Sequence, residues 1–268
     1  MSMDCTIGGN PDLYGVGIRV GLYLQWISTL LSTIFVPGDE DILRVANLLV
    51  QSAIFVALLH LSARGDLHAV DAVLATWLVF GALSSLTGSG INPLGRFSGT
   101  FRVLFYTAFA SYACWFWFSG LDAILARDDG CGGVAFFGGT SITGQFRDFN
   151  KVAAVIGLTV CTAFIIANVW VAFKRYQRNT SPDASPPRPV VELSLLLISG
   201  IIIILSIASI EYLIKANNIV DIDDVNSIGQ LLPLLVGVFG IADAVFDISQ
   251  SPKVFAPRCL LLFGQHLT

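Results

Sequence analysis

The stretch that decides the fold is GNPDLYGVGIRVGLYLQW, Gly9 to Trp26, where polar chemistry leads directly into an apolar run. Asn10 can cap a helix, Pro11 suits the first helical position, and Asp12 is favoured there by the helix dipole. The apolar run, Tyr14 to Val36, is long enough to cross about 30 Å of hydrocarbon. The stretch therefore predicts a membrane-spanning helix with a polar, capped start.

The rest of the chain repeats this apolar character. Charged residues make up 13% of the 268 residues and hydrophobic residues 54%, and the mean hydropathy is +0.74. A soluble domain has about 25% charged residues. The apolar runs do not alternate with period two, which excludes barrel strands. We therefore predict an all-α, integral-membrane bundle of seven transmembrane helices, a single domain over residues 1–268, with spans at Tyr14–Val36, Ile42–Leu61, Ala69–Leu86, Phe101–Leu125, Val152–Phe173, Val190–Ile214 and Ser227–Ile248.

The distribution of lysine and arginine predicts the orientation, because cytosolic loops carry the excess of positive charge. With the N-terminus outside or in the lumen and the C-terminus in the cytosol, nine of the 15 basic residues fall on the cytosolic side. The densest basic cluster, Lys174 to Arg178, then lies in the same cytosolic loop as a flexible, proline-rich connector at residues 176–189. An endomembrane such as the endoplasmic reticulum is the predicted location.

Two of the five cysteines fall on the oxidising side in this orientation. They are Cys5 and Cys131, for which we predict a disulfide, with two free thiols as the open alternative. No cysteine pair has a zinc-type spacing, and three scattered histidines do not make a metal centre. The sequence therefore predicts no metal site.

The first span also carries a stripe of small and polar residues. Gly17 and Gly21 form a GxxxG pattern, which Gln25, Ser28 and Ser32 continue. Small residues at this spacing usually allow close helix packing. Asp12 and Arg19 share a face but lie seven residues apart, so we expect each to meet a different partner.

Ionisable residues inside spans each need an explanation, because a charge at the bilayer centre costs about 2.5–3.5 kcal/mol. An outer layer includes Arg19, Asp71, Asp122 and Glu211, whereas Asp243 lies toward the cytosol. Each could form an interhelical ion pair or an interfacial anchor instead of a reactive site. Lys215, four residues after Glu211, is an available partner for that carboxylate.

The fourth span is unusually aromatic. One stripe contains Phe101, Phe105, Phe109, Tyr112 and Phe116, and a second ridge contains Trp115, Phe118 and Asp122. Aromatic stripes commonly serve as packing surface, but π faces also stabilise a migrating carbocation. The candidate substrate-binding residues are therefore Arg19, Phe105, Phe109, Tyr112, Trp115 and Phe116.

The long outer loop from Arg127 to Asn150 contains glycine clusters and the pair Phe136 and Phe137. Two interpretations remain open. The loop could fold back onto the bundle as a lid, or it could be a glycine-rich connector with two buried rings.

At GNPDLYGVGIRVGLYLQW and again at CGGVAFF, Cys131 to Phe137, the chain resembles the fungal membrane-bound terpene cyclases of meroterpenoid biosynthesis, of the ascochlorin, ascofuranone and macrophorin type. The resemblance implies cyclisation of a farnesyl-bearing phenol or quinol, started by protonating an epoxide or alkene. Such cyclases need no metal because no diphosphate leaves, and we expect no cofactor. The resemblance assigns no residue to the reaction.

A cyclase acid must be a carboxyl group that is buried near aromatic faces. Glu211 is ranked first, because it lies about a turn inside its span. Asp122 shares a ridge with Trp115, and Asp243 lies in a helix loosened by Pro233 and two glycines. The expected partners are a lipid-soluble substrate and membrane lipid, without nucleic acid. The alternative function is a non-enzymatic channel, transporter or receptor-like protein.

Overall fold

A computed structural model describes residues 6–35, 40–86, 97–127, 133–178, 193–225 and 227–250. It is an all-α bundle, as predicted. A 3-10 helix, Ala82–Leu86, extends the fourth helix, and a π-helical segment, Phe116–Gly120, joins the fifth to the sixth. The helices are α1 Pro11–Tyr14, α2 Val16–Phe35, α3 Glu40–Arg64, α4 Ala69–Gly81, α5 Phe97–Trp115, α6 Leu121–Leu125, α7 Gln145–Arg178, α8 Leu193–Ala216 and α9 Ile228–Gln250.

Four short strands all lie at one end of the bundle, which we call the capped end. β1, Ile7–Gly8, pairs in parallel with β4, Ile219–Val220, and thereby ties the N-terminal segment to the α8–α9 loop. β2, Val134–Phe136, pairs antiparallel with β3, Thr140–Ser141, in the α6–α7 loop. The starts of α2 and α9 and the end of α8 therefore meet at the capped end.

Six helical segments of the described chain are long and apolar enough to cross a membrane, which supports a multi-pass membrane protein. They are Pro11–Phe35, Leu43–Arg64, Gly99–Leu125, Gln145–Lys174, Leu195–Ala216 and Ile228–Gln250. The third predicted span, Ala69–Leu86, forms only a shorter apolar helix, Ala69–Ser84. It is also deeply enclosed, because ten of the 13 residues of α4 are buried.

The capped start of the first predicted span follows the prediction, although the capped helix is the short α1 that precedes α2. The Asn10 side chain accepts a hydrogen bond from the Asp12 amide, and Pro11 is the first residue of α1. The Ser227 hydroxyl donates to Asp12 at 2.7 Å, whereas Arg19 contacts α8. Asp12 and Arg19 therefore do meet different partners.

The GxxxG stripe gives the close helix packing that was predicted, and the structure shows that its partner is α9. A Cβ atom on Gly21 would lie 2.3 Å from the carbonyl oxygen of Pro233, and one on Gly17 would lie 2.7 Å from that of Gln230. From the α9 side, a Cβ on Gly237 would lie 2.4 Å from the Gly21 oxygen. Only hydrogen atoms fit at these positions, so the two backbones touch.

Two predictions lie wholly or mostly outside the described residues. Cys5 and Cys131 are outside them, so their disulfide stays a prediction. α7 continues through Arg178, and the connector is outside the described residues from position 179 onward.

Candidate functional site

A buried arginine joins three elements at the capped end. Arg19 of α2 is only 4% exposed. Its Nη1 lies 2.8 Å from both carboxylate oxygens of Glu211 on α8, and its Nη2 lies 3.2 Å from Asp223 in the α8–α9 loop. The Tyr23 hydroxyl also donates to Glu211, at 2.9 Å. Charge-assisted hydrogen bonds of this kind are among the stronger ones in proteins.

This arrangement matches the ion-pair interpretation of Glu211, but with a different partner from the one that spacing suggested. The carboxylate pairs with Arg19, 192 residues away in sequence, rather than with Lys215. The Glu211 carboxylate accepts hydrogen bonds from both a guanidinium and a phenol, so it serves as a common partner for Arg19 and Tyr23. The structure thus brings together two of the sequence-predicted residues, Arg19 and Glu211, as a connection between helices.

Asp71 is the one acidic residue that is buried within the described part of the chain, with 2% exposure. It lies in the first turn of α4. The Tyr14 hydroxyl donates to its Oδ1, and the His68 backbone amide donates to its Oδ2 at 2.9 Å. Tyr14 is itself fully buried, and its oxygen accepts from the Asn10 amide at 3.2 Å. The hydrogen-bonded pair of Asp71 and Tyr14 is therefore shielded from bulk solvent.

Sequence reasoning placed Asp71 in the outer layer but did not select it as an acid. The local signal was that of an acidic residue in the first turn of a helix, which is common as a structural device. The burial of Asp71 depends on long-range packing. Tyr14 lies 57 residues away in sequence, and Gly133 of the outer loop packs against the neighbouring Val70.

Asp122 lies at the surface in a separate ion pair. Arg147 of α7 holds both of its carboxylate oxygens, at 2.6 and 2.7 Å, and the Asp122 side chain is 63% exposed. The same guanidinium donates to the backbone oxygens of Trp117 and Phe118, at 3.0 and 3.3 Å. The π-helical segment presents these two carbonyls to Arg147, so the cluster connects α7 to the end of α5.

Asp243, the third predicted acid, is exposed on α9. It lies 15 residues after the start of that helix, about 22 Å from the capped end. The structure therefore does not bring Glu211, Asp122 and Asp243 together at one site.

Four rings of the first aromatic stripe, from Phe105 to Phe116, face inward and lie around a ring of α3, whereas Phe101 at the start of the stripe is exposed. Phe55 makes edge contacts with Phe105, Phe109 and Tyr112, at centroid distances of 5.9, 5.6 and 5.9 Å. Phe116 stacks on Tyr112 at 6.3 Å. These rings form a contiguous aromatic cluster between α3 and α5.

The second ridge of α5 faces outward. Trp115 and Phe118 are about half exposed, although the Trp115 ring still contacts Tyr112 at 5.4 Å. Trp115 therefore borders the aromatic cluster from outside, unlike the other four aromatic candidates, which build it.

The outer loop folds back onto the bundle. The Asn217 side chain accepts from the Val134 amide at 2.7 Å and donates to the Val134 oxygen at 2.9 Å. Phe136 stacks on Trp77 at 5.9 Å, and Phe137 contacts Tyr212 at 4.9 Å. This placement fits the lid interpretation, and it covers the end of the bundle that contains Asp71.

No group of three histidine, cysteine, aspartate or glutamate side chains in the described ranges is arranged to hold a metal ion. No family model, curated protein or solved structure matches the chain. Residue geometry and the sequence resemblance are therefore what bear on its function.

Proposed function

We propose that the chain crosses an endomembrane, such as that of the endoplasmic reticulum, seven times, with the capped end in the lumen. The proposal is supported by the direction of successive helices, which run alternately away from and toward the capped end. α4 begins at the capped end and α5 starts a new segment, so α4 with its 3-10 extension, Ala69 to Leu86, acts as the third crossing. At about 1.5 and 2.0 Å per residue the two parts together reach about 30 Å.

A single substitution tests this topology. Gly138→Asn in the exposed β2–β3 turn creates an Asn-Gly-Thr sequon that ends at Thr140, and asparagine tolerates the positive φ of 76° at this position. We expect glycosylation of this variant in microsomes, seen as an endoglycosidase-sensitive mass shift. The natural sequon at Asn179 should stay unmodified. Glycosylation of Asn179 alone would reverse the orientation.

We propose further that the protein binds a lipid-soluble small molecule inside the bundle and cyclises it, the substrate being a prenylated phenol or quinol or its epoxide. The observation that carries the proposal is the Asp71–Tyr14 pair. It is a buried carboxyl group that accepts a hydrogen bond from a phenol, and it lies within the bundle beneath the folded-back outer loop. Burial is what an acid needs to deliver a proton in the absence of water. The aromatic cluster around Phe55 supplies π faces in the same bundle.

The reaction is an isomerisation in this proposal. A proton from the Asp71–Tyr14 pair adds to the epoxide oxygen or to an alkene carbon of the substrate. Carbon–carbon bonds then form as the cation moves along the chain, and a carbon of the cation loses a proton, which returns to the Asp71–Tyr14 pair, so that both a neutral product and the acid are restored. Atoms balance without a cofactor. The four inward-facing rings stabilise the cation, and Arg19 with Glu211 holds α2 against α8.

The experiment is heterologous expression with a farnesyl hydroquinone or its terminal epoxide as substrate, followed by mass spectrometry of the products. Asp71→Asn is expected to reduce turnover by about 10²–10⁴-fold, the range for loss of a general acid. Asp122→Asn and Asp243→Asn are matched controls, because both carboxylates are exposed, and they should retain activity. If Asp71→Asn is present in the membrane in normal amount and turns over substrate at the wild-type rate, Asp71 is not the acid.

A second candidate function is binding without turnover, as in a receptor or transporter. It is favoured by buried polar atoms that have no hydrogen-bond partner among the described residues, including the side-chain amide of Asn47 and the indole nitrogen of Trp26. In a membrane bundle, polar groups of this kind mark a bound ligand or a path. Binding of the same probe with no cyclised product would favour this function.

A further inference from the structure

The hairpin of the outer loop, residues 133–142, buries little apolar surface of its own. It contains β2, β3 and the turn that joins them. The side chains of Ala135 and Ile142 are buried, whereas Phe137 and residues 138–141 are exposed. Segments with few buried apolar contacts belong to the parts of a protein that open at low cost in free energy. The hairpin is therefore suited to move without the helices.

Asn217 fastens the hairpin to the bundle through polar contacts. This residue directly follows α8 and is only 6% exposed. Its side chain accepts from the Val134 amide at 2.7 Å and donates to the Val134 oxygen at 2.9 Å. The same Nδ2 also donates to the Leu213 oxygen at 2.8 Å, which fixes the side chain to α8. One carboxamide thus pairs with both backbone groups of Val134, as a neighbouring strand would.

Stacked rings form a second contact between the hairpin and the helices. Phe136 stacks on Trp77 of α4 at a centroid distance of 5.9 Å and on Phe146 of α7 at 6.0 Å. Ring pairs at these distances contribute about 0.5–1.5 kcal/mol beyond their buried area. The ring contacts orient the hairpin on α4 and α7, and the Asn217 side chain connects it to α8.

The hairpin lies against the start of α4, where Asp71 is buried. A Cβ atom on Gly133 would lie 2.3 Å from Cγ2 of Val70, the residue before Asp71. Asp71 is 2% exposed, and it accepts from the His68 backbone amide at 2.9 Å. Trp77, which contacts Phe136, lies further along the same helix. The His68 amide therefore reports whether the Asp71 site is closed.

We propose that residues 133–142 open and close as one unit over the start of α4, and that Asn217 is the latch that keeps this unit closed. When the Asn217 side chain releases Val134, the hairpin moves off the bundle, and the Asp71–Tyr14 pair becomes accessible from the capped end. The latch controls access to the pair rather than its chemistry. It therefore serves turnover and binding without turnover alike.

Amide hydrogen exchange at residue resolution tests whether the hairpin opens as a unit. The sample is the full-length protein in lipid nanodiscs, without any ligand. The Val134 amide donates to Asn217, whereas the Ile142 amide donates to the Gly133 oxygen at 3.2 Å, within the hairpin. We expect similar protection factors for these two amides in the wild type, because one opening exposes both. Protection factors that differ by more than about tenfold would show separate openings and would overturn the proposal.

Asn217→Ala tests the latch. The substitution removes both hydrogen bonds to Val134, so we expect the exchange rates of the Val134, Ile142 and His68 amides to rise at least about tenfold, the combined effect of two hydrogen bonds. A rise confined to Val134 contradicts opening as a unit. Unchanged rates at all three amides contradict the latch.

Asn150→Ala is the matched control. The Asn150 side chain donates to the Phe146 oxygen, four residues earlier, at 2.8 Å, as Asn217 does to Leu213, but this bond lies within α7. Its removal should leave the three exchange rates at their wild-type values. An increase equal to that of Asn217→Ala would show that the effect is not specific to Asn217.

Tyr212→Phe distinguishes Asn217 from the other polar contact of the hairpin. The Tyr212 hydroxyl accepts from the Gly139 amide at 3.2 Å, at an exposed position, and the substitution keeps the ring that contacts Phe137. We expect the three exchange rates to rise less than about threefold. A larger increase than that of Asn217→Ala would assign the latch to Tyr212 instead.

A second substitution at position 217 guards against loss of the fold. Asn217→Asp keeps the size of the side chain and the acceptor for the Val134 amide, but a carboxylate cannot donate to the Val134 and Leu213 oxygens. The three exchange rates should rise here too. If either variant also exchanges rapidly throughout α2, Asn217 holds the bundle rather than the hairpin, and the latch is refuted. No substrate is needed, so this result is independent of whether the protein is a cyclase.

Discussion

Gly21→Val is expected to prevent α2 from packing against α9 and to leave little folded protein. A side chain at this position meets backbone atoms rather than flexible groups, with the Pro233 oxygen 2.3 Å from the new Cβ. Neither helix can yield locally, because Gly237 on α9 abuts Gly21 in turn. We expect a loss of about 3 kcal/mol or more, the upper part of the range for overpacking.

The matched controls are glycines on the outer parts of the bundle. A Cβ on Gly157 of α7 or Gly200 of α8 meets nothing within 4 Å. Gly157→Val and Gly200→Val should therefore give protein that elutes as a single peak in detergent with a thermal midpoint near that of the wild type. Equal behaviour of Gly21→Val would show that the α2–α9 contact does not hold the bundle together.

Close packing on this face of α2 was foreseeable because its signal is local, although the sequence did not show that α9 is the partner. GxxxG spacing places two glycines on one helix face whatever the rest of the fold does. The helix start at Asn10 was predicted for the same reason, since capping involves atoms only two residues apart. Hydropathy likewise located the apolar segments, because each helix in lipid satisfies its own backbone.

The partners of buried charges could not be read from the sequence. Spacing suggested Lys215 for Glu211, yet the bundle supplies Arg19 from another helix. The burial of Asp71 has a similar cause, since Tyr14 and the outer loop cover it only after folding. Short apolar segments are also ambiguous. Ala69–Ser84 has the composition of a span, but its helix is shorter than the six others.

That the aromatic rings share one face of the helix was predictable, but what this face contacts was not. Residues spaced by three and four must share a face, so Phe105, Phe109 and Tyr112 were expected together. Sequence could not show that the face closes on Phe55 of α3. The ring contacts show that this face packs against α3. Whether the rings also act in catalysis is tested by the experiment with the prenylated substrate.

Glu211→Gln is expected to destabilise the protein by about 3 kcal/mol, at the low end for a broken buried ion pair. The substitution leaves the Arg19 guanidinium in a site with 4% exposure, and only the exposed Asp223 remains as an anion. Arg19→Met should lower the free energy of unfolding by less, because the Glu211 carboxylate that loses its partner is 41% exposed and can be solvated by water. Thermal midpoints measured in one detergent check this order.

The double variant Arg19→Met with Glu211→Gln separates an ion-pair role from an acid role. If the two residues mainly neutralise each other, the double variant is more stable than Glu211→Gln alone, with a coupling energy of about 0.5–3 kcal/mol. If the protein is a cyclase with Asp71 as its acid, as proposed, cyclisation per folded molecule should then recover together with stability, because Asp71 is unchanged. Recovery of stability without activity would instead assign the acid to Glu211. The same cycle therefore decides between the carboxylate that sequence ranked first and the one that burial favours.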